Sequence, residues 1–245
     1  MPAAVRMYIT EVFVLKVRIK FSKTGPLKFI GHLDVMRYFQ KLFRRAQIPV
    51  KYSEGFSPHQ ILSFSHPLPL GMESLGEYAD IELTDTISSE DALTRLKNES
   101  VPQIEVLSFK KLPENADNAM ASVCASRYRI EFVGNCPFNN LKCIIEDVKN
   151  TSELIVFKKT KKSEKFENIR PFIYELNLKD DNNSFEVLLS SGSVNNTKPE
   201  LLIDAMAQLS NISIDFDNVK ITRIDQYTKS NDKLISLNDV GENID

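Results

Sequence analysis

The chain has 245 residues, of which 42% are hydrophobic and 26% are charged, a globular composition that can bury one large core or two smaller ones. No window reaches the roughly 18 apolar residues that a membrane-spanning helix requires, so the sequence predicts no membrane partner. Three cysteines, at spacings unlike any common zinc site, predict a reduced, cytoplasmic protein with free thiols.

Positive charge is concentrated at the start of the chain. The formal net charge is −2, yet residues 1–52 hold eleven Lys or Arg side chains against two acidic ones. The remainder of the chain is therefore strongly acidic. A protein that segregates charge in this way can steer an anionic partner, although a Lys-rich solvated face would give the same pattern.

The first half of the chain predicts the element order β-α-β-β-α-β of a ferredoxin-like unit. Residues 15–21 alternate between apolar and basic side chains, which predicts a half-buried strand with a basic outer face. Apolar side chains then recur on one side of a helix from about Leu33 to Gln47. Further strands are predicted at Ile61–Ser65, Glu77–Leu83 and Gln103–Phe109, with a second helix that begins at Ser88 or Ser89.

The second half predicts the same order again. Its helices open at Pro137 and near Thr197, and its strands are predicted at Arg127–Val133, Leu154–Lys158, Phe172–Leu176, Phe185–Leu189 and Val219–Tyr227. We therefore predict an α+β fold of two tandem ferredoxin-like (βαββαβ) units, with antiparallel sheets and helices on one face. The units span residues 1–113 and 119–228, and residues 229–245 are predicted to form a flexible acidic tail.

A basic strand face and a basic helix stripe together form a candidate surface for RNA or another anion. Side chains of this kind contact phosphates, and the aromatic rings of Tyr52 and Phe56 could stack on bases. The candidate anion-binding residues are Lys16, Arg18, Lys20, Arg37, Lys41, Arg44, Arg45 and Lys51. The alternative for Phe56 is a ring that plugs the core.

The three histidines, His32, His59 and His66, allow other chemistry. A metal site is disfavoured because no pair has a short ligand spacing, so no metal or other cofactor is expected. A triad of Ser57, His59 and Glu54 is disfavoured because residues so close on one loop rarely converge. His59 could instead act as an acid–base group on RNA, which would make the protein a metal-free ribonuclease.

One long block, KTGPLKFIGHLDVMRYFQKLFRRAQIPVKYSEGFSPHQILSFSHPLPLGMESLGEYADIEL (residues 23–83), resembles the radical-SAM-linked family of bacterial proteins. Weaker similarities are ENIRP (residues 167–171), KPE (198–200) and ITR (221–223). The sequence departs from the pattern at Asn168 and His66. The signature residues that the resemblance marks are His32, Asp34, Tyr52, Ser53, Glu54, Gly55, Phe56, Pro58, His59, Gly71, Glu73, Ser74 and Glu77.

Members of that family occur alone or as the C-terminal part of a radical-SAM enzyme, which implies an accessory role. This chain lacks the cysteine triplet that would hold an iron–sulfur cluster, so we do not expect it to be the radical enzyme. We expect a non-catalytic protein that binds RNA or another anionic substrate and presents it to a separate radical-SAM enzyme. The alternatives are a protein-interaction module that docks such an enzyme without nucleic acid, and the ribonuclease.

Overall fold

The computed structural model describes residues 14–159, 164–192 and 195–245. In these residues an α+β fold is built on a large, mainly antiparallel sheet with few helices. The main path of the sheet runs in the order β12-β4-β1-β3-β10-β5-β9-β8, and two further strands pair at its side. The predicted α+β class and the antiparallel character of the pairing are confirmed.

The first half supplies one end of this sheet. Its elements are β1 (Leu15–Lys23), α1 (His32–Arg45), β2 (Leu62–Phe64), β3 (Glu73–Leu83), α2 (Ser89–Glu99) and β4 (Val106–Lys111). Strand β1 lies between β4 and β3, and β2 pairs on the far side of β3. The side chain of Ser88 accepts a hydrogen bond from the Asp91 N–H and begins α2, as predicted.

The second half supplies the other end. Its elements are α3 (Ala119–Ser122), β5 (Ala125–Phe132), α4 (Leu141–Asn150), β6 (Ile155–Lys159), β7 (Glu164–Asn168), β8 (Ile173–Leu178), β9 (Ser184–Ser190), α5 (Pro199–Leu209), β10 (Val219–Ser230), β11 (Lys233–Ser236) and β12 (Glu242–Asn243). Strand β5 lies between β10 and β9, and β8 pairs on the far side of β9. Helix α4 begins after Asn140, whose side chain caps the Cys143 N–H, and not at Pro137 as predicted.

Strands β3 and β10 join the two halves into one sheet. They run parallel, with Thr222 opposite Glu73 and Arg223 opposite Ser74. Gly76 lets these strands approach closely, because a Cβ at this position would lie 2.6 Å from the Ile224 carbonyl oxygen. We call this junction of β3 with β10, and the polar side chains around it, the seam. Pairing between such distant segments leaves no local sequence signal.

Each half packs its helices against its own part of the sheet. In the first half, Ile19 of β1, Phe39 of α1 and Leu96 of α2 belong to one buried cluster. In the second half, Ile145 of α4 and Met206 of α5 belong to another, together with apolar residues of β5 and β9. The helical periodicity of the sequence placed these apolar side chains on the buried faces correctly.

The opposite face of β1 is covered at Arg18 and largely at Lys20, so the prediction of a basic face exposed to solvent is wrong at these two residues, whereas Lys16 is exposed. A third buried cluster combines Tyr78 with Ala119, Val123 and Leu237. These residues come from β3, the α3 region and a short helical turn after β11. Ala119, Val123 and Leu237 thus cover part of this side of the sheet.

Residues 229–245 are ordered, and the prediction of a flexible acidic tail is wrong. Strand β11 pairs with the end of β10, and β12 pairs with β4. Ser89 and Ile244 are tied by two hydrogen bonds of 2.9 Å, one from the Ser89 N–H to the Ile244 carbonyl and one from the Ile244 N–H to the Ser89 hydroxyl. Burial of apolar side chains holds this segment in place, because Leu237 is completely buried and Ile244 packs against the first core.

Candidate functional site

The basic residues predicted on α1 all lie on its exposed face, which we call the α1 basic face. They are Arg37, Lys41, Arg44 and Arg45. Arg37 pairs with Asp34 (Nη1–Oδ1 3.4 Å) and Arg45 pairs with Glu99 (Nε–Oε2 3.2 Å), and all four of these side chains are exposed. Exposed pairs contribute about 0–1 kcal/mol, so a phosphate can replace either carboxylate at small cost.

Arg18 is not available to an anion, and this part of the predicted surface is wrong. Its side chain is 2% exposed, and its guanidinium forms a two-point pair with Asp80 (Nε–Oδ1 2.8 Å, Nη2–Oδ2 2.9 Å). It also donates to the Asp117 carbonyl oxygen at 3.0 Å. Arg18 therefore forms a buried contact between β1, β3 and the segment that precedes α3.

The other predicted basic residues outside α1 are engaged to different degrees. Lys16 is exposed. Lys20 is mostly buried and pairs with Asp225 (Nζ–Oδ1 3.2 Å), so it serves the seam. Lys51 is half-buried and pairs with Glu82 (Nζ–Oε2 3.4 Å). Lys16 and Lys20 lie on the face of β1 opposite to the one that packs against α1, so they are separate from the α1 basic face.

Residues 52–59, which we call the signature loop, are closed by hydrogen bonds between Ser53 and His59. The Ser53 N–H donates to the His59 carbonyl (2.8 Å), and the His59 N–H donates to the Ser53 hydroxyl oxygen (3.1 Å). The same hydroxyl lies 2.9 Å from the ring nitrogen Nδ1 of His59. Tyr52 and Gln60 pair beneath them as an isolated bridge. His59 thus organises the loop, and its use in a ribonuclease stays a prediction.

The tip of this loop carries a bare aromatic ring. Phe56 is completely exposed, so it does not plug the core. Gly55 before it has φ +105°, a left-handed conformation that favours glycine. Glu54 and Pro58 are exposed on either side, and Tyr52 is 46% exposed. The exposed aromatic side chains that the sequence predicts as stacking platforms are present.

The signature residues Gly71, Glu73 and Ser74 have structural roles near the seam. Gly71 has φ +84°, and its N–H donates to the Lys28 carbonyl at 3.0 Å. Glu73 accepts from the Gly25 N–H at 3.0 Å and pairs with Lys220 at 3.2 Å. Burial opposes ionisation of Glu73, but these two partners lower its pKa. Ser74 is buried near the same junction.

A narrow cleft of about 20 Å³, room for about one water molecule, lies beside the start of α1. Its lining combines apolar and polar side chains: Phe21, Lys23, His32, Val35, Phe64, Ser65, Pro67, Leu68 and Glu77. Lys23 is 3% exposed. Burial lowers the pKa of Lys23; the Glu77 carboxylate opposes this shift and Arg223 adds to it. The cleft therefore brings Lys23 together with the signature residues His32 and Glu77.

Arg223 and Glu77 form a buried ion pair across the seam. Arg223 is 0% exposed, and its Nε donates to Glu77 Oε1 at 2.8 Å while its Nη2 contacts both carboxylate oxygens. Nη2 also donates to the His66 carbonyl at 2.9 Å. Burial opposes the charge, but Glu77 raises the pKa of Arg223 above its ordinary value. The pKa of His66 is lowered by burial and by Arg223.

A second polar network crosses the seam at Tyr78. The Tyr78 hydroxyl donates to Asp225 and lies 3.2 Å from the Ser236 hydroxyl oxygen. The Ser236 hydroxyl in turn donates to the other oxygen of Asp225 at 2.8 Å. Burial and the Asp225 carboxylate raise the pKa of Tyr78, so its hydroxyl stays protonated at physiological pH. The network fastens β3, β10 and β11 together.

Sequence reasoning missed Lys23, His66 and Arg223 as members of one cluster. Each lies inside or beside a motif of the resemblance: Lys23 opens the first block, His66 precedes the prolines, and Arg223 ends ITR. The signal was therefore present in two motifs, the block of residues 23–83 and ITR. Their convergence required the β3–β10 pairing, which brings residues 146 positions apart into contact.

Within the described residues, no group of three or more His, Cys, Asp or Glu side chains could hold a metal ion. No helix in that part of the chain is long and apolar enough to cross a membrane. Cys124, Cys136 and Cys143 are free.

No curated protein matches the chain. Among solved structures, the chain is similar to a crystal structure of a Cbf5-Nop10-Gar1 complex, with a TM-score of 0.45 and 10% identity. That match covers 86% of this chain and 48% of the other, so this chain spans about half of that chain's length. Residues 16–199 match the family described as "Uncharacterized protein conserved in bacteria (DUF2344)". Since this match covers more than half of the chain, the protein belongs to that bacterial family.

Proposed function

We propose that the protein is a non-catalytic accessory protein that binds RNA or another anionic substrate and presents it to a separate radical-SAM enzyme. The observation that carries RNA binding is the α1 basic face. Four cations project from one helix into solvent. Arg37 and Arg45 pair with carboxylates that are themselves exposed, and Arg45 also donates to the Glu99 carbonyl oxygen at 3.0 Å. Such cations bind a phosphate backbone by releasing its counterions.

The exposed rings of the signature loop support RNA over a small anion. Phe56 projects completely into solvent from a loop that Ser53 and His59 close by hydrogen bonds. A ring held on an ordered loop loses little conformational freedom when a base stacks on it, and stacking contributes about 1–3 kcal/mol per base. Tyr52 offers a second, partly exposed ring.

The proposed framework is a tandem of ferredoxin-like units. Two runs of strands support it: β4-β1-β3-β2 in the first half and β10-β5-β9-β8 in the second, with every pair antiparallel. Each run has the strand order of a βαββαβ unit when its strands are counted within its own half. The β6–β7 hairpin is then an insertion in the second unit.

The radical-SAM partner rests on the family resemblance of residues 23–83. Its test is co-purification: a radical-SAM enzyme should be retained by the wild-type protein. It should be lost, or bound much more weakly, when Phe56 is changed to Ala. If no such enzyme is retained at low salt, the proposed radical-SAM partner is contradicted. The proposal of RNA binding is tested separately.

RNA binding is tested by titrating fluorescently labelled single-stranded RNA at low and moderate salt. The variant Lys41→Glu/Arg44→Glu should lose the salt-sensitive binding. The matched control is Lys142→Glu/Lys149→Glu, which makes the same change in net charge on exposed residues of α4. Equal loss in both variants would mean that net charge alone attracts RNA. Full binding by the α1 variant would contradict the proposed face.

A protein-docking module is the second candidate, because exposed apolar side chains surround the signature segments. Phe29, Leu33 and Leu70 are each more than 60% exposed, in addition to Phe56. A docking surface of this kind depends on apolar contact and is insensitive to salt, whereas phosphate binding weakens steeply with salt. Partner binding that persists at high salt, without any RNA binding, would favour this candidate.

A further inference from the structure

The β6–β7 hairpin lies outside the main sheet, and neither the α1 basic face nor the signature loop includes it. Among the described residues its two strands pair only with each other, with Phe157 opposite Phe166. Val156, on one face of the hairpin, is 2% exposed and belongs to the core of the second half. Lys158 donates to the Asn196 carbonyl oxygen at 3.3 Å. These contacts hold one face of the hairpin against the second half.

The other face of the hairpin carries apolar side chains that are exposed to solvent. Successive side chains of a strand point to opposite faces, so Ile155, Phe157 and Phe166 lie opposite to Val156. Their exposed fractions are 47%, 48% and 76%, respectively. The two rings are cross-strand neighbours, with their centroids 5.4 Å apart and their planes at 58°. Two adjacent aromatic rings are therefore open to a partner.

The hairpin is positively charged, although the chain after residue 52 is acidic as a whole. Residues 155–168 contain five lysines and two glutamates. Glu167 is shared by Lys158 (Nζ–Oε2 2.9 Å) and Lys165 (Nζ–Oε1 3.0 Å), and these two ammonium groups lower its pKa. The Lys165 side chain is 55% exposed, so a phosphate can compete for it at small cost. The charge of this segment therefore favours an anionic partner.

We propose that Phe157 and Phe166 stack on bases of single-stranded RNA, whose phosphates the positive charge of the hairpin attracts. Exposed aromatic side chains on strands are a recurrent platform for unpaired bases, and basic side chains beside them contact the backbone. Double-stranded RNA fits less well, because its bases are already stacked on one another. An apolar protein contact would not account for the excess of lysines. The inference rests on the proposed RNA binding and adds a second contact, in the other half of the chain from the α1 basic face.

NMR of the phenylalanine rings in the full chain tests the contact directly. A short oligoadenylate should shift the ring resonances of Phe157 and Phe166, because a stacked base adds its ring current. An RNA duplex of the same length should leave them in place, and so should vesicles of phosphatidylcholine and phosphatidylglycerol. The proposal is overturned if both rings stay unshifted at saturating oligoadenylate, if the duplex shifts them equally, or if only the vesicles shift them.

Variants separate this contact from the α1 basic face. Phe166→Ala should weaken oligoadenylate binding about tenfold, as expected when one stacked base is lost, whereas Phe166→Tyr keeps a ring and should bind normally. The matched control is Phe216→Ala, which removes a phenylalanine that is 38% exposed and lies outside the hairpin. Its affinity should equal that of the wild-type protein.

The salt dependence distinguishes the two possible failures. Phe166→Ala should keep the salt slope of the wild-type protein, since stacking releases no counterions, whereas Lys41→Glu/Arg44→Glu should reduce that slope. Full affinity of Phe166→Ala, together with loss of binding in the α1 variant, would overturn the hairpin contact alone. A loss confined to Phe166→Ala would support the hairpin and contradict the α1 basic face. Absence of RNA binding by the wild-type protein would overturn both.

Discussion

The seam and the α1 basic face are both rich in charge, but they hold it in opposite ways. At the seam, Arg223 is completely buried and its partner Glu77 is a residue of the other half of the chain. On α1, the Arg45–Glu99 pair has both side chains more than 40% exposed. Buried charges are fixed by their partners, whereas exposed charges remain free to exchange partners.

This difference teaches that a basic residue can be assigned to binding only when its surroundings are known. Arg18 and Lys41 look equivalent in the sequence, since each lies in a basic run on one face of an element. In the structure, Arg18 is committed to Asp80 and the α3 region, while Lys41 faces solvent. Of the predicted surface, the α1 basic face and Lys16 stay exposed to solvent.

The largest effect should come from breaking the buried pair. Arg223→Met should lower the free energy of unfolding by about 3–5 kcal/mol, because it leaves the Glu77 carboxylate buried without its partner. The double variant Arg223→Met/Glu77→Leu should recover most of that loss, since both charges are then gone. Urea denaturation of the three proteins measures these differences. A single variant as stable as wild type would show that the pair does not hold the seam.

The close approach of β3 and β10 gives the next largest effect. Gly76→Ala should cost about 1–3 kcal/mol, because its Cβ would meet backbone atoms of residues 224 and 225 at 2.6–2.7 Å. The control is Gly31→Ala, where the nearest atom, in the Asp34 side chain, is 3.9 Å away. Thermal unfolding should separate the two variants clearly. Equal stability of the two variants would mean that the close approach of β3 and β10 does not contribute to the free energy of unfolding.

The exposed pair on α1 should contribute little to stability. Arg45→Met should change the free energy of unfolding by less than about 1 kcal/mol, because both members of the Arg45–Glu99 pair are solvated. The same substitution type at Arg223 provides the direct comparison. If Arg45→Met lowered the free energy of unfolding by several kcal/mol, the exposed pair on α1 would stabilise the fold as much as the buried pair at the seam, which would contradict the comparison.

The smallest effect is a pH dependence from His66. Its folded pKa lies below its ordinary value of 6.5, so the unfolded chain binds more protons in that window. The free energy of unfolding should therefore fall as the pH drops through and below 6.5. The carboxylates with lowered pKa, such as Glu73, respond at lower pH. His66→Gln should flatten the slope between about pH 7.5 and about pH 5.5, and an unchanged slope would exclude His66 as its source.

Local patterns predicted the local structure well. The periodicity of α1 identified Val35, Phe39 and Leu42 as buried, and alternation placed most strands within a few residues. The start of α2 was predicted at Ser88 or Ser89, and Ser88 is the residue that caps the helix. These predictions succeed because helix and strand faces follow from neighbouring residues.

Long-range features could not be predicted. The parallel pairing of β3 with β10, the burial of Arg18 under the α3 region and the return of Ile244 to the first core depend on contacts between distant residues. The Arg223–Glu77 pair was missed for the same reason, since its two residues belong to motifs in different halves of the chain. Composition misled at the C-terminus. Residues 229–245 contain four acidic side chains, yet Leu237 and Ile244 anchor the segment.

The salt dependence of RNA affinity tests the central claim most directly. If the four cations of the α1 basic face contact phosphates, the logarithm of the binding constant should fall with the logarithm of salt with a slope approaching about −3 for single-stranded RNA. Lys41→Glu/Arg44→Glu should abolish most of that slope, and Lys142→Glu/Lys149→Glu should preserve it. A slope near zero in the wild-type protein, or the same slope in both variants, would contradict the account.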